Sequence, residues 1–191
     1  DFAGDSLLSL AIIARDYVRY YQNLREKGFA PAENVTHDHD DPLPVFSNSR
    51  SELVMLGNLT GSDIPGLCRI RHDRVDYWPS LGHGKFGRGR KISELPFNYG
   101  EFDSLRVRLA DIDGSGAPAL IYLKSDVFEI YLNCAGNGFI QTPVIVPWPT
   151  GVRYDSLCHV IFADLQGLGC ATLILTVTHM QPQHWRYDFV S

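Results

Sequence analysis

The sequence predicts an all-β chain: a β-propeller segment of about three and a half four-stranded blades, part of a larger propeller. Three observations carry this expectation. A glycine-centred turn recurs at near-constant spacing, a phenylalanine keeps step with it, and the stretches between them alternate apolar and polar residues over strand-like lengths.

The turn recurs four times, as Asp1-Phe2-Ala3-Gly4-Asp5-Ser6, Asn58-Leu59-Thr60-Gly61-Ser62-Asp63, Asp111-Ile112-Asp113-Gly114-Ser115-Gly116 and Asp164-Leu165-Gln166-Gly167-Leu168-Gly169. Its glycines stand 57 (61−4), 53 (114−61) and 53 (167−114) residues apart. Phe29, Phe86 and Phe139 each follow their glycine by 25. An aromatic stretch and a turn-rich stretch precede each Phe: Tyr20 to Leu24, Tyr77 to Gly84, and Tyr131 to Gly138.

The third copy shows the elements in order. Leu105 to Ala110 alternates apolar and polar residues, the period of a half-buried strand. The Asp-Gly-Ser-Gly turn follows, with residue types that tolerate positive φ. Ala119 to Leu123 is a second strand, Lys124 to Asp126 a turn, Val127 to Leu132 a third strand, and Phe139 to Val146 a fourth. In the first copy Leu10, Ile13, Tyr17 and Tyr20 would share a helix face. The repeat register between Gly4 and Phe29 nevertheless assigns that stretch to strands.

The units are bounded at about 1–52, 53–104, 105–157 and 158–191. Asp1 sits at the turn after a first strand, so the opening unit is expected to lack that strand. His184 to Val190 reads as a third strand, so the closing unit is expected to lack its fourth. The expected total is 14 strands, the remaining blades lying in a longer parent chain or a partner. An open arc exposes sheet faces and edges, so the isolated chain is expected to be poorly soluble or oligomeric.

The net charge of −5 argues against nucleic-acid binding, and Arg88 to Lys91 is the only dense basic spot, read as a solvated turn. No apolar stretch reaches the length of a membrane span, so no direct membrane insertion is expected; Ala171 to Val177 suits a buried strand instead. Residues 1–20 do not read as a signal peptide, and a start on Asp1 fits an excised fragment. Cys68, Cys134, Cys158 and Cys170 have no short metal-ligand spacing and read as buried free thiols; export would allow one disulfide.

Asp111 and Asp113, with Ser115 at the fifth position, outline a calcium loop. The ninth position, Ala119, has no side-chain oxygen, and the other copies carry fewer acids, so closure by hydrogen bonds to the loop's own backbone is the favoured reading. His37-Asp38-His39-Asp40-Asp41 has the composition of a transition-metal loop, though a solvated acidic loop ending at Pro42 is favoured. No Gly-x-Ser-x-Gly elbow occurs, and no catalytic residues are assigned. His83, between Gly82 and Gly84, is matched to Asn137 as a turn residue that tolerates left-handed backbone. Asn34-Val35-Thr36 and Asn58-Leu59-Thr60 fit the glycosylation pattern. Trp78 and Trp185 fall on third strands, where packing between blades is expected. Trp148, in Pro147-Trp148-Pro149, is the candidate for an exposed binding contact.

Leu67-Cys68-Arg69-Ile70-Arg71 leading into Tyr77 through Gly87 resembles the middle region of the B subunit of bacterial insecticidal toxin complexes (Tc toxins), as do Arg108 to Gly116 and Ile130 to Asn133 with Gly136-Asn137. The Salmonella plasmid virulence protein B type shares the region. The likeness is strongest from about Leu53 to Phe189, and residues 1–52 join it through the repeat landmarks alone. The resemblance implies a propeller within a much larger secreted chain. The B subunit would join the C subunit in a hollow shell around a toxic segment, dock onto the pore-forming A subunit and give the toxin a route into the channel. Enzymatic activity would reside elsewhere. Relatives often carry an acid where this chain has Ala119, which counts against calcium. The alternative reading is an integrin-like propeller that binds glycans or matrix with calcium. A hydrolase on a propeller scaffold would need a convergent acid, base and nucleophile, and none is identified.

Overall fold

The structure is a computed structural model that describes residues 7–62, 64–178 and 183–189. The chain is all-β; among the described residues there is no α-helix, so none is long and apolar enough to cross a membrane. The Asp1–Ser6 turn, with Gly4, and Asp63 lie outside the described residues.

Four antiparallel sheets follow one another, each with strands hydrogen-bonded in chain order. The first comprises β1 (Leu10–Ile13), β2 (Tyr17–Tyr21) and β3 (Glu33–Thr36). The second comprises β4 (Glu52–Gly57), β5 (Gly66–Arg71), β6 (Arg74–Trp78) and, beyond a hairpin of β7 (Ser80–Gly82) and β8 (Lys85–Phe86), β9 (Arg90–Glu94). The third comprises β10 (Val107–Ala110), β11 (Ala119–Leu123), β12 (Val127–Tyr131) and β13 (Val144–Pro147). The fourth comprises β14 (Cys158–Ala163), β15 (Thr172–Val177) and β16 (Gln183–Tyr187).

The stretch that could have been helical, Ser9 to Tyr21, is the β1–β2 pair, with Leu10 opposite Tyr21 and Ile13 opposite Val18. The fourth strand of the third copy is shorter than expected. It starts at Val144, because Gly136 and Gly138 turn the chain sharply and Phe139 makes only an isolated bridge to Asn133. That bridge explains the phenylalanine landmark. Phe29 pairs with Asn23, Phe86 with Ser80 and Phe139 with Asn133, and one residue further on the N–H of Ala30, Gly87 and Ile140 donates to the carbonyl of Gln22, Pro79 and Leu132 at 2.9, 2.8 and 2.9 Å. The turn so clamped holds left-handed backbone at one fixed position, 21 residues after each glycine: Arg25 (φ 60°), Gly82 (φ 82°) and Ala135 (φ 50°). His83 is also left-handed at φ 49°, but Asn137 is not among the positive-φ residues; Ala135 and Gly136 carry the inversion there, which corrects the expected match of His83 with Asn137.

The described chain divides into two compact bodies between Leu105 and Arg106. In the first, Val18 and Tyr20 of β2 pack with Val54, Leu67 and Trp78 of the second sheet, together with Leu43 and Phe86. In the second, Phe128 and Ile130 of β12 pack with Cys158, Leu173 and Leu175 of the fourth sheet. The two cores use the same positions. The third-strand residues stand 14 and 16 after their glycine in both cases, and Leu67 and Leu173 each stand 6 after theirs. Within each body the earlier unit buries an apolar face on the later one, as sheets too small to bury both faces alone require.

Candidate functional site

The recurring turn closes on itself. Asp111 Oδ1 accepts from the N–H of Gly114 at 2.8 Å and Oδ2 from Gly116 at 2.8 Å, while Asp113 Oδ1 accepts from Ser115 at 3.0 Å. The fourth copy repeats this, with Asp164 accepting from Gln166, Leu168 and Gly169. The second copy does so without charge, through Ser62 Oγ donating to Asn58 Oδ1 at 3.3 Å. These bonds favour the ionised carboxylates. Hydrogen bonding from Ser115 holds Asp113 below the ordinary carboxylate range, and the Gly169 N–H does the same for Asp164. The residues fit a calcium ion poorly: both Asp111 oxygens face backbone donors, and Ala119 opens β11, its backbone paired with Ala110. Among the described residues no group of three or more His, Cys, Asp or Glu is placed to hold a metal.

Trp148 is not an exposed contact. It is 5% exposed, stacks on Tyr154 at 5.6 Å and lies 4.7 Å from the Phe128 ring. Its Nε1 donates to the Lys124 carbonyl at 2.8 Å. The flanking prolines that suggested a surface loop instead steer the indole over β12, where burial of its large ring outweighs exposure. Trp78 and Trp185 are on third strands and pack in the two cores, as expected.

The His37–Asp41 loop is tethered rather than freely solvated. Asp41 Oδ2 accepts from the Gly89 N–H at 2.7 Å and stands 3.7 Å from His37 Nε2, and the His37 side chain is only 8% exposed. Asp38 Oδ1 caps the Asp40 N–H at 3.0 Å. All four cysteines are free. Cys68 and Cys158 are buried, burial pushing the Cys68 thiol up to about 12, whereas Cys134 is exposed and Cys170 half-buried, against the expectation that all four would be buried.

Two polar clusters escape motif reading, because each is assembled around one strand turn from residues with no fixed motif spacing. On the second sheet, Asp76 Oδ2 accepts from Arg69 at 2.9 Å and Arg71 at 3.2 Å, with Arg74 Nε at 3.5 Å, and the Arg69 guanidinium lies 5.4 Å over the Trp78 ring. On the third sheet, Glu129 accepts from Lys124 Nζ at 2.6 Å and from the Tyr131 hydroxyl at 2.8 Å; burial and this bond raise the Tyr131 pKa. Strand periodicity was the available signal, since two-residue spacing puts Arg69 and Arg71 on one face.

The first body also holds a cavity of about 380 Å³ between β2, β3 and the β7–β8 hairpin, within the size range of small-ligand sites. Its wall includes Val18, Asn34, Thr36, Leu81, Lys85 and Phe86.

No family model matches the chain, and no curated protein matches it. Solved structures do. A chain of a mutant Photorhabdus luminescens Tc holotoxin pore is 40% identical, with a TM-score of 0.86 over 93% of this chain and 8% of that one. A chain of a TcdB2–TccC3–Cdc42 complex is 37% identical, with a TM-score of 0.76 over 95% of this chain and 8% of that one. An Agrocybe aegerita lectin that recognises non-reducing terminal N-acetylglucosamine is 19% identical, with a TM-score of 0.68 over 92% of this chain and 44% of that one, a likeness of fold alone. The present chain thus spans 8% of the length of the Tc chains that it matches.

Proposed function

This chain is a region of the B/C-component type of Tc toxin complexes, and from that premise we propose that it is a non-catalytic propeller segment of the B subunit, docking to the pore-forming A subunit and gating release of the enclosed toxin. The observation that carries the reading is 40% identity and a TM-score of 0.86 to a chain of a Tc holotoxin pore over 93% of this chain. The four units bounded at about 1–52, 53–104, 105–157 and 158–191 are the blades. Within each body, consecutive sheets pack through equivalent positions, the arrangement that propagates around a ring. The C subunit, the A subunit and the remaining blades are the partners, and the assembly acts after secretion.

The polar clusters suit a rigid wall. Asp76 is held by Arg69 of the adjacent strand and Glu129 by Lys124 of the turn after β11, fixed ion pairs that suit a structural role. We read the segment as carrying no enzymatic step and no cofactor, any toxic activity belonging elsewhere in the parent complex. The glycan-binding alternative loses its candidate aromatic contact, since Trp148 is buried.

The test is binding of a purified A subunit by the full-length parent and by a deletion of residues 1–191. Loss of binding with the remainder still folded supports docking. Undiminished binding with altered toxin retention leaves a purely architectural role, and undiminished binding with unchanged release overturns the proposal.

A further inference from the structure

We propose that the cavity between β3 and the β7–β8 hairpin binds a small amphipathic carboxylate, a carboxylate head on a short aliphatic body. The inference is independent of the docking reading and rests on the cavity's own geometry.

The cavity exists because the second copy departs from its neighbours. In the first and third copies the residues before the phenylalanine make a single bridge, whereas in the second they extend into the β7–β8 hairpin. The hairpin tip is seated on β2: a Cβ added to Gly84 (φ 74°) would meet Tyr20 Cβ at 3.2 Å and Val18 Cγ1 at 3.4 Å, and the His83 ring meets Tyr20 edge-on at 6.4 Å. This contact leaves a space of about 380 Å³ beside β3. Among the described residues β3 pairs with β2 alone.

The lining divides by chemistry. Val18, Leu81 and Phe86 supply apolar surface, enough for a short aliphatic group. Lys85, Thr36 and Asn34 supply donors. Asn34 Oδ1 already accepts from Arg19 Nε at 3.1 Å, which leaves the Asn34 amide nitrogen to donate. Among the described residues Lys85 takes part in no ion pair, so its charge is free for a ligand. The Asp41 carboxylate beyond His37 is bonded to the Gly89 N–H and does not occupy that role. A site that combines one cation and neutral donors with apolar wall surface suits an anion with an apolar body, and a carboxylate suits one ammonium with neutral donors beside it. A free acid and the C-terminal residue of a peptide share this chemistry.

The experiment is titration of the full-length parent with N-acetyl-leucine, followed through the NMR shift of the ligand's carbon-13-labelled carboxyl group. Its neutral amide, N-acetyl-leucinamide, and a tripeptide ending in leucine are titrated in parallel. Saturable shifts are expected, with a Kd on the order of 1 mM for a site this open. The amide analogue should bind about tenfold more weakly, as should the acid to a Lys85→Gln variant, while Lys85→Arg retains binding. Tighter binding of the tripeptide would assign the site to a chain end, and weaker binding to a free acid. The proposal is overturned by the absence of saturable shifts, by equal binding of acid and amide to the unaltered chain, or by an unchanged affinity in Lys85→Gln.

Discussion

Asp76 and Glu129 occupy one repeat position: each stands 15 residues after its unit's glycine, on the third strand, and each is bonded to a cation, Arg69 on the second strand in one copy and Lys124 in the turn after it in the other. Both are buried, at 8% and 7% exposed. The register is conserved while its chemistry is not, a carboxylate among three arginines in one copy and a Lys–Glu–Tyr triad in the other.

Removing the carboxylate of the triad should destabilise the chain. Glu129→Ala removes the acceptor of the Tyr131 hydroxyl bond and releases Lys124, whose side chain is 46% exposed and so rehydrates at little cost. The expected loss is about 1–3 kcal/mol, below that of a fully buried pair. Urea denaturation with an unchanged m-value checks it, and a loss under about 0.5 kcal/mol would show the triad to be energetically idle.

Trp148→Ala should cost about 3–5 kcal/mol, because the indole fills the space between Phe128, Tyr154 and Tyr187. Trp148→Phe keeps most of the packing and loses the bond to the Lys124 carbonyl, so its loss should be smaller. Equal stability of the alanine variant and the unaltered chain would return Trp148 to the surface.

A Cβ at Gly66 would fall 2.4 Å from the Tyr77 ring, itself 1% exposed. Gly66→Ala therefore forces a buried tyrosine aside and should cost about 1–3 kcal/mol. Gly100→Ala, with nothing within 4 Å, should be neutral or slightly stabilising. Thermal melting of the two variants separates overpacking from a general intolerance of substitution at glycine.

The Asp113 and Asp164 carboxylates are held below their ordinary range by hydrogen bonds from Ser115 and Gly169. A group whose pKa is depressed by folding stabilises the fold when ionised, so this contribution is present above the unfolded value near pH 4 and is lost as pH falls through the folded one. Melting temperature should drop across that window, and Asp164→Asn should flatten part of the drop. At neutral pH a calcium chelator should leave the melting temperature unchanged. A fall on chelation would mean that the loops do take the ion.

The sequence by itself determined the periodic skeleton. The glycine and phenylalanine landmarks mark a clamped turn that recurs with the same bonds in three copies, because backbone geometry at a left-handed position depends on local sequence. The Asp111 and Asp164 loops were legible for the same reason, their hydrogen bonds reaching five residues at most. Only the tertiary structure decided what lies between strands. Trp148 is buried because Phe128, Tyr154 and Tyr187, up to 39 residues away (187−148), converge on it. Asp41 is pinned by Gly89, 48 residues distant, and the cavity takes its walls from β2, β3 and β7–β8. Spacing along a chain fixes which face of its own strand a side chain occupies, but packing between sheets fixes what that face meets.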